Sequence, residues 1–376
     1  MKKKFLAALI TGTMVLSLVG CGGGSKPATK DTTDTTGTAK TESTDAGKTE
    51  TKTETAGATE DLGNKLVFYS SMTDDDVNSV LDGFNALYPD IEVEVVNGSA
   101  GELTARITAE ADNPQGDVMW GGLPQTDGDS HADIFEPYLS DHESEVYDDY
   151  KSNNGFYNYS HLSTVVLCVN TKLEEKAGIE IKGYKDLLNP ALKGQIIFSD
   201  PNSSSAAWNN LCNIMAVYGN DSDEAWALMK GLIDNGMIIS DSSSKCFKAV
   251  ADGEYIVGLT YEDGASTLLK SGADNIRLVY PEEGTSATAM ACAMIKGAPH
   301  QAAAKAMINY LLSAEGQAER AESLGTIRMT NANAKYNTVY IPATEDIKWV
   351  SRDINWLIEN KQQVLDHWNE LVTSAQ

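Results

Sequence analysis

The sequence predicts an α/β protein built as two lobes around mainly parallel sheets. Short β-rich runs alternate with helical stretches from residue 64 onward, and each run ends in a Ser-, Asn- or Gly-rich turn. One almost wholly apolar strand near the middle of the chain, Ser163–Asn170, has to be buried on both sides. Alternating strands and helices imply a parallel sheet covered on both faces. With 376 residues, 41% hydrophobic and 22% charged, the chain is long enough for two ordinary domains with substantial cores.

The elements follow in chain order. Lys2, Lys3 and Lys4 precede an apolar run from Phe5 to Gly20, the charged and hydrophobic regions of an export signal rather than a membrane span of about 20 residues. The run ends in Leu18-Val19-Gly20-Cys21, which resembles the lipobox at which bacterial lipoproteins are cut, so Cys21 is the expected lipidation site. Residues 22–63 form a Gly/Ser/Thr/Lys/Asp/Glu mixture with almost no large apolar residue, which cannot offset the entropy of ordering and reads as a flexible tether. The expected division is 1–21 signal and lipidated Cys, 22–63 tether, 64–164 plus 287–376 lobe 1, and 165–286 lobe 2. The product is a monomer on the outer face of the cell membrane, touching that membrane through its lipid anchor only.

In the first lobe, Lys65–Tyr69 is a strand stopping at Ser70-Ser71, and Thr73-Asp74-Asp75-Asp76 caps a helix through Leu87. Ile91–Val96 runs into Asn97-Gly98-Ser99-Ala100-Gly101 and a helix near Glu102–Ala111, and Asp117–Trp120 ends at Gly121-Gly122. Ser163–Asn170 is the crossover between lobes. Gln195–Phe198 then leads into Ser199–Ser205 and a helix from Ala206 to Tyr218. A helix near Asp223–Asn235, a strand at Met237–Ile239 and a helix Ser244–Ala251 come next. Tyr255–Thr260 runs into Tyr261-Glu262-Asp263-Gly264, and Ile276–Tyr280 precedes Pro281–Thr285. Ala287–Ile295 is the return strand, with helices near Pro299–Ser323 and Trp349–Thr373 closing the chain. Two lobes joined by two crossing strands make a hinge and a cleft.

Charge narrows the function. Lys+Arg 29 against Asp+Glu 54 gives a formal charge of -25, with no extended basic cluster, which excludes nucleic acid as a partner. It says little about a small ligand, because distant surface charge is screened within about 8 Å. Four cysteines follow Cys21, namely Cys168, Cys212, Cys246 and Cys292, without C-x-x-C spacing, so no zinc or iron–sulfur site is expected from them. They read as buried thiols, and Cys168 with Cys292 is the pair to test for a disulfide.

With lipobox, tether and two lobes in place, the chain resembles the substrate-binding proteins of bacterial ATP-binding-cassette importers. It is most similar to the solute-binding family that includes ferric-ion, aminoethylphosphonate and hexose-phosphate binders. Val67–Ser70, Arg106–Gly122, Ser199–Trp208, Val257–Ala265, Val279–Thr285 and Trp356–Leu371 carry the resemblance across residues 64–376. It implies a type II periplasmic-binding-protein-like fold, a cleft that closes by hinge motion, a membrane permease with its ATPase as partners, and no cofactor.

Ligands in such sheets gather beyond the carboxyl ends of the strands. Ser203-Ser204-Ser205 opens a helix, whose terminus offers unpaired N–H groups and the positive end of the dipole to an anion. Ser70, Ser71, Asn97 and Ser99 offer the same equipment from the other lobe, Gly121 and Gly122 permit close backbone approach, and Asp200 and Thr288 lie on the same rim. A phosphate or phosphonate, carried on a sugar or an aminoethyl group, is the expected ligand. Tyr261, Glu262 and Asp263 at another strand end could pair with an amine or with sugar hydroxyls. The ferric relatives, as the resemblance implies, carry a consecutive Tyr-Tyr pair near this place; here it is absent, which puts ferric ion second. Arg328 is expected to pair with a surface carboxylate.

An enzyme would need a constellation. The five His residues show no H-E-x-x-H spacing, G-x-S-x-G and the phosphate-binding loop are missing, and Ser242-Ser243-Ser244-Lys245 matches S-x-x-K by letters only. An exported hydrolase is the alternative from another class, and no catalytic residue is assigned.

Overall fold

The computed structural model describes residues 62–375. The expected export signal, the expected lipidation site Cys21 and nearly all of the expected tether lie outside the described residues.

Strand β1 (Lys65–Ser70), helix α1 (Asp74–Leu87), β2 (Glu92–Asn97), α2 (Ala100–Ala109) and β3 (Val118–Pro124) form two strand–helix–strand crossover units, with the three strands parallel in the order β2, β1, β3. A long strand, β4 (Asn158–Asn170), follows, and twelve of its thirteen residues are buried. Then come α3 (Thr171–Ala177), β5 (Ile196–Ser199), α4 (Ser205–Tyr218), α5 (Asp223–Asp234), β6 (Ile238–Ser240), α6 (Lys245–Ala251), β7 (Val257–Tyr261), α7 (Glu262–Lys270) and β8 (Ile276–Val279). The chain returns through β9 (Ala287–Met294) and finishes with α8 (Gln301–Leu312), α9 (Ala314–Leu324), β10 (Arg328–Met329) and α10 (Ile354–Ser374).

The spine is β4. Its first half pairs antiparallel with β9 and β10, and β9 in turn pairs with β3; its second half pairs antiparallel with β7 and β8, and β7 leads through β5 to β6. The change of partner falls between Thr164, opposite Ala287, and Val165, opposite Tyr261. Apolar residues on both sides of β4 explain why it is buried throughout. One core gathers Phe68, Phe84 and Trp120 under α1 and α8, and another gathers Phe198, Leu211 and Leu232 under α4 and α5.

Several elements differ from the sequence expectation. The strand starts at Asn158 because its polar stretch is internally paired: Trp120 Nε1 donates to Ser160 Oγ at 3.1 Å, which lies 3.0 Å from His161 Nδ1. The helix expected over 299–323 breaks into α8 and α9 at Ser313, whose extended backbone ends one helix while its hydroxyl accepts from the Gly316 N–H and starts the next. The last helix begins at Ile354, where Asp353 caps it through the Trp356 N–H. Helices α3 and α7 were not expected.

The largest departure concerns α10. Leu357, Val364 and Trp368 form one apolar stripe that lies in the core with Phe198 and Leu211, so this face packs on the 165–286 group, while Ile358 lies beside Gly128 of the 64–164 group. Trp368 meets Phe198 edge-on at 5.7 Å and its Nε1 donates to Asp200 Oδ1 at 3.2 Å. The pairing considered for Cys168 and Cys292 is also corrected. Cys168 lies opposite Gly258 and Leu278, whereas Cys292 lies opposite Asn158, ten positions away along β4. That separation is about 33 Å, far beyond the reach of a disulfide. All four described cysteines are buried free thiols. No helix among the described residues is long and apolar enough to cross a membrane.

Candidate functional site

The strand ends place four helix N-termini around one cavity of about 720 Å³. Beyond β1, Thr73 Oγ1 accepts from the Asp76 N–H at 3.3 Å and caps α1. Beyond β2, Ser99 Oγ accepts from the Glu102 N–H at 3.3 Å while the Glu102 carboxylate accepts from the Ser99 N–H at 2.9 Å, a reciprocal box that starts α2. Beyond β5, Ser204 Oγ accepts from the Ala207 N–H at 3.1 Å and caps α4. Beyond β7, Tyr261 occupies the cap position of α7 without a side-chain bond.

Of the residues expected at the site, Ser71, Ser99, Gly122, Ser205, Tyr261, Asp263 and Thr288 line this cavity. The others are engaged elsewhere. Ser70 is buried and its hydroxyl accepts from the Met72 N–H at 3.1 Å. Asn97 and Ser203 are exposed off the cavity wall. Ser204 is buried as the α4 cap and also accepts from Ser199 Oγ at 3.0 Å. Asp200 holds Asn202 and Trp368. Gly121 serves packing, with φ +82° and the space for a Cβ already taken by Met72 Sδ at 2.5 Å.

Glu262 is a buried structural group. It forms a two-pronged ion pair with Arg328, Nε to Oε2 and Nη2 to Oε1 both at 2.9 Å, and accepts a further bond from Tyr280 OH. Arg328 also donates to Thr344 Oγ1 and to the Pro342 carbonyl, anchoring the strap that leads to α10. The carboxylate expected for Arg328 is thus an interior one, 66 residues away in sequence.

The cavity is electrically uneven. At the α1 and α7 side stand Asp75, Asp76 and Asp263. Arg320 donates to Asp76 Oδ1 at 3.0 Å and stacks over the Trp120 ring at 4.5 Å, while its Nε and Nη1 are buried without a partner among the described residues. Burial and the Arg320 charge hold His161, also on the wall, well below its usual pKa and therefore neutral. Burial, with the Asp76 and Glu262 charges adding to it, pushes Asp263 up to about 7. Burial and the Asp263 charge push the Tyr261 phenol up as well.

The α4 side is different. Its first turn contains no acid, and Trp208, on the wall in that turn, has an indole N–H buried without a hydrogen-bond partner. Asn209 follows on the wall, its amide donating to the Ser163 carbonyl at 3.0 Å. Sequence reasoning missed Asp75, Asp76, Trp208, Asn209 and His161. The cap at Thr73 signals the first two, and the helical spacing from Ser205 signals Asn209, but nothing local signals His161. Among the described residues no group of three or more His, Cys, Asp or Glu side chains is placed to hold a metal ion.

Comparison with known proteins places this geometry. The chain is 27% identical over 325 residues to an uncharacterized protein of Haemophilus influenzae, covering 83% of this chain and 91% of that one. It is 27% identical over 252 residues to iron uptake protein A1 of Synechocystis sp., covering 62% and 67%. It superposes with a TM-score of 0.70 on the periplasmic binding protein AfuA of Actinobacillus pleuropneumoniae, solved with fructose-6-phosphate bound, at 24% identity over 82% of this chain and 98% of that one. The fold is that of the type II periplasmic binding proteins. The profile described as bacterial extracellular solute-binding protein matches residues 79–346. The chain therefore belongs to the bacterial extracellular solute-binding protein family, the small-molecule-binding components of ATP-binding-cassette importers.

Proposed function

We propose that this protein captures a small anionic solute, an organic phosphate or phosphonate such as a sugar phosphate or aminoethylphosphonate, for delivery to a permease and its ATPase. The observation that carries the reading is the bare N-terminus of α4. The helices α1, α2 and α7 open onto the cavity with Asp or Glu in their first turns, so their dipoles are already met; α4 has none there. Its free N–H groups, Ser205 and the partnerless Trp208 N–H suit phosphoryl oxygens. Asp75, Asp76 and Asp263 at the far side suit the ligand's hydroxyls or amine. Fructose-6-phosphate in the AfuA structure supports the same class. In this reading Ser71, Ser99, Gly122, Tyr261 and Thr288 complete the contacts. The halves on either side of the Thr164/Val165 switch close as lobes, and the body is a monomer held at the membrane by lipidated Cys21.

Ferric ion is the second reading, favoured by the oxygen donors Asp75, Asp76, Asp263 and Tyr261 and by the iron uptake relative. The raised Tyr261 phenol weighs against it, because a metal-bound phenolate must lose its proton. A thermal-shift series on the chain from Gly22 onward decides, with fructose 6-phosphate, aminoethylphosphonate, inorganic phosphate, ferric citrate and fructose as probes. A bound probe at one hundred times its Kd adds about 2.7 kcal/mol of stability. A shift with the phosphorylated or phosphonate compounds alone supports the anion reading; a shift only with ferric citrate or with fructose removes it. Release of inorganic phosphate from a bound ester would place the protein among hydrolases.

A further inference from the structure

We propose that Arg352 is a positioning residue that sets the ligand-binding wall of the cavity from behind, a deepening that rests on the cleft reading above. Arg352 lies two residues before α10 and is not on the cavity wall. Its Nε donates to Ser286 Oγ at 2.6 Å, and its Nη1 donates to Thr288 Oγ1 at 2.6 Å and to Asn209 Oδ1. Its Nη2 donates to the Asn209 carbonyl at 3.1 Å. Thr288 in turn donates to Asn209 Oδ1 at 2.7 Å, and Asn209 Nδ2 donates to the Ser163 carbonyl at 3.0 Å. One guanidinium therefore joins α4 to the start of β9 and, through Asn209, to the middle of β4 at the place where β4 changes partners. Two of the residues it grips, Asn209 and Thr288, are wall residues.

The charge of Arg352 is also unlike its peers. Arg106, Arg277, Arg320 and Arg328 each meet a carboxylate, whereas Arg352 has no ion pair among the described residues. Asp149 shares the crevice of about 50 Å³ beside it without reaching ion-pair distance. Neutral oxygens satisfy its N–H groups but do not cancel its charge, so it favours an anion in the cavity and polarises the Asn209 amide, which has a second Nδ2 proton beyond the one given to Ser163. The fork also holds both side chains in one orientation, which a single ammonium cannot do.

The test compares wild type with Arg352→Met, Arg352→Lys and Ser286→Ala, the last removing an acceptor of Arg352 that does not line the cavity. Calorimetric titration with fructose 6-phosphate and inorganic phosphate is paired with amide hydrogen exchange on the unliganded chain. R352M is expected to weaken the phosphorylated probes about 10- to 100-fold, because the charge-assisted bonds that hold Asn209 and Thr288 in place are lost. R352K is expected to recover part of that, and S286A to lose a few-fold. Exchange should quicken over 206–213 and 286–289 while β1 and β2 keep their protection, which also shows that the variants are folded. Unchanged exchange at those segments overturns the proposal whatever binds, and so does quickened exchange with unaltered affinity. Wild type that binds neither probe overturns the anion reading, and the exchange result still decides whether Arg352 holds the wall.

Discussion

Gly122→Ala tests the geometry of the cavity floor directly. Gly122 has φ +68°, and a Cβ built there would lie 2.3 Å from the Ala100 Cβ at the start of α2 and 3.0 Å from Ser71 Oγ. An ordinary carbon–carbon contact is about 3.5–4.0 Å, so the shortfall exceeds 1 Å. Both carbons are fixed to backbone, and no rotamer change relieves the contact. Either the β3 turn or the first turn of α2 has to move. The left-handed conformation costs an alanine about 1–2 kcal/mol and overpacking about 1–3 kcal/mol, together about 2–5 kcal/mol. The displaced turn carries Ser99 and Ala100 away from the cavity, so loss of a contact there weakens an anionic ligand about tenfold or more. Gly155→Ala is the control: φ is +80° and nothing lies within 4 Å of the added carbon, so only the conformational part remains. Urea denaturation of both variants, with calorimetric titration of any bound probe, reads the difference. If G122A is no less stable than G155A and binds as wild type does, the steric argument fails.

Three further outcomes follow from the interior. The folded pKa of Asp263, about 7, lies above its ordinary 3.8, so the folded state keeps a proton that the unfolded chain releases between those values. Stability should therefore fall as pH rises through that window, by at most about 1.4 kcal/mol per unit, and level off above it. Asp263→Asn should abolish this slope and gain most above pH 7, and parallel urea profiles for variant and wild type from pH 4 to 8 would count against it. Arg328→Met strands the Glu262 carboxylate in the interior and should cost about 3–5 kcal/mol, while adding Glu262→Gln should recover much of the loss; a single-variant cost below about 1 kcal/mol in denaturant titration would refute the assignment. Burial pushes the Cys168 and Cys212 thiols up to about 12 and Cys246 up to about 11, so none of the four should react with a thiol reagent in the native state and all four should do so in guanidinium, with dithiothreitol leaving the melting point unchanged. Fewer than four thiols in the denatured body, measured without reductant, would contradict the free-thiol structure.

By itself the sequence determined the α/β class, the positions where most helices start and the strand-end rim that surrounds the cavity. Those features are written locally: Thr73, Ser99 and Ser204 cap helices through N–H groups three residues away, and a strand end followed by Ser or Gly is visible in a short window of sequence. The tertiary structure decided which of the rim residues share one cavity and which are spent on packing. Ser204 and Glu262 look like Ser205 and Asp263 in a list of polar residues, but one neighbour of each pair points inward to a cap or to Arg328, and only the turn of the helix separates them. The stripe of α10 was legible as a face, and its partner sheet was not, because an apolar face matches any core. Arg352 and Asn209, 143 residues apart, carry no sequence signal of each other. Contacts of that range depend on how β4 divides its two halves between two groups of strands, a choice made by the packing of the whole chain.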